Sequence, residues 1–304
     1  MESKLAKYNS QGISDTNSTV SDFLSLLKPR VMALAVFTSI CGIALAPLSM
    51  HPFFFFISVL CISVGAGASG AINMWYDKDI DSLMERTKKR AVPLGKIEPL
   101  DALGFGAVLS LFSIILLGLS VNYQAALLLA FSIFFYICIY TIWLKRRTPQ
   151  NIVIGGASGA FPPVIGWACS TGDITLFPIL LFCLIFFWTP PHFWALALYK
   201  DIEYSKANVP MLPVVKGKRE TKKQILIYSF VLFAVSLLPY YFGFSGHMYV
   251  ACAIFLNSYF CYLAFSLFRS EDKKNSFYAP KLFKFSIIYL YLTFTSLVID
   301  SLIK

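Results

Sequence analysis

Residues 52–81 read PFFFFISVLCISVGAGASGAINMWYDKDID, an apolar run that breaks off in a cluster of acids. Its apolar part, 52–76, exceeds the roughly 20 residues with which an α-helix crosses a bilayer core. The run is continuous rather than alternating, which selects a helix over a barrel strand. Eight further runs resemble it, at 31–50, 101–121, 123–144, 151–169, 174–199, 224–243, 247–269 and 281–303. The 304 residues are 57% hydrophobic and 14% charged, whereas a soluble domain carries about 25% charged residues. The sequence therefore predicts an all-α integral membrane protein of about nine transmembrane helices.

Charge fixes an expected orientation. Nearly all of the 26 lysines and arginines fall before the first run or in every second connection after it; Lys304 is the exception. The intervening turns, near 49–51, 120–124, 170–173 and 243–247, hold none. The positive-inside rule puts the N-terminus and the basic loops in the cytoplasm. The net charge of +10 then reflects topology and attraction to anionic lipid, and no nucleic-acid partner is implied. Residues 1–25 are polar, without the apolar core of a signal peptide, and are expected to be a disordered cytoplasmic tail before a single domain over 26–304. The seven cysteines lie in or beside apolar runs without ligand spacing, as small buried hydrophobes do.

Two of the inner loops, 77–99 and 199–223, are longer than membrane turns require. Asn73, Asp77 and Asp81 recur every fourth residue, a step that drifts only about 40° around a helix and so makes one oxygen-rich face. Mg²⁺ favours one or two carboxylates together with substrate phosphates. Asp79 is out of phase and is expected to be structural or solvated. Downstream, Arg86, Lys89 and Arg90 supply fork-shaped and point-charge donors for phosphate. The second loop opens with Tyr199, Lys200, Asp201, Glu203, Tyr204 and Lys206, after the sixth run as the first loop follows the second. Four spans separate them, which suggests two four-helix halves in parallel orientation plus a ninth helix, with the site in a central cavity between them.

The NxxxDxxxD pattern of Asn73, Asp77 and Asp81, with a second acidic loop four spans on, resembles the UbiA-type intramembrane prenyltransferase superfamily. The strings NMWYDKDID, MERTKKR, LKRRTPQNIVIGGASGAFPPVIGW, WTPPHFWALALY and ANVPMLPVVKG are similar to its heme-farnesylating members, over about residues 22–220. There are departures: Glu203 stands where that branch has Asp, Ala91 where it often has Pro, and Asn208 where it often has Gly. The resemblance implies Mg²⁺-dependent transfer of the farnesyl group of farnesyl diphosphate to a vinyl group of heme b, with heme a substrate rather than a cofactor. It implies Asp77 and Asp81, with Asn73, as metal ligands on one side and either Asp201 or Glu203 on the other. Arg86, Lys89, Arg90 and Lys200 would neutralise the leaving diphosphate, with Tyr204 and Lys206 beside it. Aromatic faces among Trp75, Tyr76, Phe193, Trp194 and Tyr199 would stabilise an allylic cation. His192 either ligates the heme iron or bonds backbone freed by Pro190 and Pro191. Lys145, Arg146 and Arg147 either pair with heme propionates or serve only as a topology signal. Farnesyl diphosphate, heme b and the lipid bilayer are the implied partners, with a heme A synthase or an oxidase assembly factor downstream, and the bacterial cytoplasmic membrane is the implied location.

A quinone-type acceptor on the same fold is one competing function. A transporter is another, disfavoured because the motif acids sit at helix ends rather than at mid-membrane. An electron carrier normally wants paired axial heme ligands, and His51 and His247 fall on the opposite side from His192.

Overall fold

The computed structural model describes residues 18–271 and 275–303. Long apolar helices are joined by short turns at one end and by longer, charged connections at the other. In chain order they are α1 (Val20–Leu26), α2 (Pro29–Ala44), α3 (Pro52–Tyr76), α4 (Lys78–Leu83), α5 (Pro99–Ser120) and α6 (Tyr123–Phe134). A π-helical stretch, Phe135–Leu144, continues α6. There follow α7 (Asn151–Thr171), α8 (Leu176–Tyr199), α9 (Asp201–Lys206), α10 (Leu212–Val215), α11 (Gly217–Tyr241), α12 (His247–Arg269) and α13 (Asn275–Ile303). Among the described residues eight helices are long and apolar enough to cross a membrane, and the bent pair α1 and α2 makes a ninth if counted as one span. The nine-span expectation holds in that form.

Packing repeats between the halves. In the first, α2 packs on α3, α3 on α5 and α5 on α6; in the second, α7 packs on α8, α8 on α11 and α11 on α12. The halves meet where α2 crosses α7, and α13 closes the bundle against α2, α8 and α12. Helices in lipid gain no hydrophobic drive from each other, so their crossings depend on close backbone approach over small residues. At the α2–α7 crossing a Cβ on Gly42 would lie 2.2 Å from the Pro163 carbonyl oxygen, and one on Gly166 would lie 2.1 Å from that of Ser39. Both obstacles are backbone, which has nowhere to move.

Two boundaries differ from expectation. The tail assigned to 1–25 is helical from Val20, where Thr19 and Asp22 form a reciprocal capping box that satisfies two otherwise unpaired amides; residues 1–17 lie outside the described residues. The second loop, expected through 223, ends at Gly217, because the charged first turns of α11 extend the helix past its apolar part. Gly166→Ala is expected to lower the unfolding temperature in detergent sharply, as overpacking costs about 1–3 kcal/mol or more. Gly104→Ala, with nothing within 4 Å of the new carbon, should leave it unchanged or raise it.

Candidate active site

The apolar part of α3 ends at Tyr76, and Asp77 is its C-cap. Although α4 starts afresh at Lys78, the four-residue ladder crosses the junction, with the Asp77 amide donating to Asn73 O at 3.0 Å and that of Asp81 to Asp77 O at 2.8 Å. The acidic face expected from the spacing therefore survives the break. Asp77 is fully buried, Asp81 is 3% exposed and Asn73 is 5% exposed. Such burial of a carboxylate costs several kcal/mol unless it is paired and hydrogen-bonded.

The partners come from across the bundle. The π-helical turn at Phe135–Leu144 carries Thr141 and Lys145, four residues apart, against Asn73 and Asp77, also four apart. Asn73 Nδ2 donates to Thr141 Oγ1 at 3.2 Å and to Asp77 Oδ2 at 2.6 Å, and the Lys145 ammonium pairs with Asp77. The Lys145 amide bonds Tyr140 O at 2.9 Å, five residues back, as in the π-bulges common at functional sites. Gly155 makes room for this turn, since a Cβ there would lie 2.1 Å from the Tyr140 ring. Next along the chain, Arg146 donates two bonds, 2.7 and 2.8 Å, to the Asp79 carboxylate, lies 4.8 Å over the Tyr76 ring and approaches Asp77 Oδ1 at 3.6 Å. Its guanidinium holds the Asp79 carboxyl below the usual carboxylate range. Asp79 is thus structural. Lys145 and Arg146, expected as propionate partners or topology charges, are paired with Asp77 and Asp79 of the first loop.

The rest of that loop is held from both sides. Arg90 pairs with Asp81 at 2.5 Å, and the buried Thr87 hydroxyl donates to Asp81 O at 3.0 Å. Ala91, Val92 and Ile97 pack into a small core with Leu26, Ala71 and Met74. Lys89 and Lys96 are exposed and, with Lys28 and Arg90, line a cavity of about 350 Å³ beside α1. Arg86 is exposed.

The second loop repeats the device. α8 ends at Tyr199, Lys200 is its C-cap, and α9 follows at once. Glu203 pairs with Lys200 at 2.5 Å and is largely buried, whereas Asp201 pairs with Lys218 at 2.8 Å. Glu203 Oε2 is buried without a hydrogen bond, which distinguishes Glu203 from Asp201. Tyr204 is buried and Lys206 exposed. Asn208 sits at φ 52°, a left-handed conformation that asparagine tolerates better than most residues.

Two expectations are corrected. Trp194 is 1% exposed and packs edge-on to Tyr228 of α11; protein covers its faces, so it is a core residue rather than a wall for substrate. His192 does not bond freed backbone: α8 runs unbroken through Pro190 and Pro191, and the imidazole Nδ1 meets Ser286 Oγ of α13 at 2.6 Å. Trp188 and Phe283 stack on its two faces at 4.3 and 4.6 Å. Lys28 was not singled out by its spacing. Its ammonium donates to Asn73 Oδ1 at 3.0 Å, and its only signal was a basic residue just before the proline that starts α2. One further acid lies inside a span: Asp300 accepts from the amides of Gly246 and Tyr249, which makes it a cap for α12 rather than an ion relay.

An all-helical membrane bundle that gathers two acidic motifs and a ring of cations at one end has counterparts of known architecture. The chain superposes on a digeranylgeranylglyceryl phosphate synthase at a TM-score of 0.78, with 18% identity, covering 94% of this chain and 99% of that one. It superposes on a UbiA homolog from Archaeoglobus fulgidus solved with DMAPP and Mg²⁺ at 0.67, with 15% identity, covering 91% and 99%. Those likenesses define the fold. The profile of the UbiA prenyltransferase family matches residues 35–288, and the chain belongs to that family. Within it, a Parvibaculum lavamentivorans protein named protoheme IX farnesyltransferase is 54% identical over 93% of this chain and 89% of its own length. One of the same name from Brucella ovis is 51% identical over 99% and 96%.

The different placements of Asp201 and Glu203 give a test. Glu203→Gln is expected to lower prenyl transfer by about tenfold or more, the scale on which loss of a charged site group acts. Asp201→Asn should stay within about threefold. Initial rates of both purified variants decide between them.

Proposed function

We propose that this chain transfers the farnesyl group of farnesyl diphosphate to a vinyl group of heme b, giving heme O and diphosphate. The chemistry rests on one observation: the carboxylates of the two motifs, Asp77, Asp81 and Glu203, are buried or largely buried and each is paired with a basic side chain. The acceptor rests on the relatives, which share about half their residues with this chain over nearly its full length and are named for farnesyl transfer to protoheme IX.

The donor set fits Mg²⁺. It consists of hard oxygens, and one carboxylate oxygen of each motif, Asp77 Oδ1 and Glu203 Oε2, is buried without a hydrogen bond. Asn73, Asp77 and Asp81 on one side and Glu203 on the other would hold the ion, which enters as the diphosphate complex and sets positive charge against the leaving group. Arg86, Lys89, Arg90 and Lys200 neutralise the diphosphate as the C1–O bond breaks and the electron pair departs with it. The allylic cation is then attacked by the vinyl π electrons. Water adds to the resulting carbocation and loses a proton to solvent, which completes the hydroxyethylfarnesyl group. Tyr76 and Tyr199, beside the two motifs, supply aromatic faces for the first cation. His192 would ligate the heme iron through the ring nitrogen that does not meet Ser286, its ring held between Trp188 and Phe283.

The excess of lysine and arginine in the site loops supports a cytoplasmic orientation for them, and bacterial relatives support a bacterial cytoplasmic membrane. Heme O then passes to a heme A synthase or to oxidase assembly. Membranes bearing the chain, given heme b, farnesyl diphosphate and Mg²⁺, should yield a farnesylated heme by chromatography and mass. EDTA should abolish it, and Asp77→Ala should lower it by about a hundredfold or more. Prenylation of an added quinone precursor in place of heme would overturn the acceptor. Separately, His192→Ala should lose the shifted Soret band of bound heme, and an unchanged band would remove the ligand role.

A further inference from the structure

We propose that Ser286, on the last helix, is a positioning residue for the acceptor: its hydroxyl fixes the tautomer and ring plane of His192, so that Nε2 presents its lone pair to the heme iron. This deepens the heme-farnesylating reading above and rests on it.

His192 lies in α8, about two helical turns before its end, and Ser286 lies in α13, which packs along α8. A relay of short hydrogen bonds joins them. His192 Nδ1 stands 2.6 Å from Ser286 Oγ. The same oxygen stands 2.6 Å from the Phe283 carbonyl oxygen, one turn back on α13. A serine hydroxyl has one proton to give. If His192 took it, two oxygens would face each other at 2.6 Å with no proton between them, a repulsive contact. The proton therefore goes to Phe283 O. Toward His192 the fully buried serine can then only accept, so Nδ1 carries the imidazole proton. In a neutral ring that leaves the lone pair on Nε2.

The ring plane is fixed by the same two helices. Trp188, one turn before His192, stacks on one face at 4.3 Å, and Phe283 covers the other at 4.6 Å. Trp188 is itself tied to Ser286, since its indole Nε1 donates to the Ser286 carbonyl oxygen at 2.8 Å. Both polar groups of Ser286 thus serve α8, the hydroxyl at His192 and the carbonyl at Trp188. Turning the imidazole out of its plane would break the Nδ1 bond and both stacks together.

Metal-binding histidines depend on a partner at the second ring nitrogen for orientation and basicity. Here the partner is an uncharged hydroxyl. A carboxylate in its place would make the imidazole more basic and hold iron more tightly. A hydroxyl gives orientation with a weaker hold, which suits a heme that must leave after it reacts. Phe283 also meets Tyr199 edge-on at 6.3 Å, and Tyr199 is the last residue of α8 before the second acidic motif. The turn 283–286 therefore does more than close the bundle: it sets the acceptor's iron relative to the prenyl site.

The test is titration of the purified chain in detergent with heme b, read by Soret absorbance and by the iron–imidazole stretch in resonance Raman spectra of the ferrous complex. Ser286→Ala should bind heme about tenfold more weakly or worse. Its iron–imidazole stretch should fall in frequency, because an unbonded Nδ1–H leaves the ring less basic. Ser286→Thr keeps a hydroxyl that can bond the preceding turn and should restore both. Binding of a farnesyl diphosphate analogue with Mn²⁺ should be unchanged in Ser286→Ala; an equal loss there would mark a merely structural residue and overturn the proposal. Wild-type heme affinity with an unshifted stretch in Ser286→Ala would also overturn it, and would leave the histidine ligand standing. An unchanged Soret band in His192→Ala would overturn ligand and proposal together. A wild-type chain that takes up no heme, yet binds the analogue, would overturn the heme acceptor itself.

Discussion

Asp77 is fully buried at the end of a 25-residue apolar helix, and a carboxylate in that position must be neutralised by whatever the fold can bring to it. The architecture at this end of the bundle follows from that need. Lys145 arrives on a π-helical turn that puts it in step with Asp77, and Thr141 one step before it meets Asn73. Arg146 docks the same connection onto Asp79 and Tyr76. Arg90 folds the first loop back onto Asp81, and the apolar residues beyond it anchor that loop on α1 and α3. A charged site therefore supplies cross-links between segments that lipid-facing helices would not otherwise hold together.

The second half of the chain uses the same construction less deeply. α8 ends in a C-cap lysine and a six-residue helix, as α3 ends in a C-cap aspartate and one of its own. Glu203 is partnered within its own turn by Lys200, so this side needs no distant cation. The two halves share a packing order and differ in how their charges are satisfied.

Much of this was legible in residue order. Spans, loop ends and the Asn73, Asp77, Asp81 face follow from hydropathy and a four-residue period, both local properties. The pairing of Lys145 and Arg146 was not, because it joins positions 68 and 67 apart in sequence through a π-helical phase that residue spacing does not announce. Lys28 was hidden among basic residues that topology alone explains. His192 was visible as a candidate, but its partner Ser286 lies 94 residues on. Trp194 misled because its neighbours in the string belong to the site, while helix phase turns its ring toward α11.

The most direct test of the account is a structure of the chain with Mn²⁺ and a non-hydrolysable farnesyl diphosphate analogue, with the metal located by its anomalous scattering. The expected result is Mn²⁺ between the Asp77 and Asp81 carboxylates and Glu203, with the diphosphate against Arg90 and Lys200. The metal and diphosphate bound away from both motifs would contradict it.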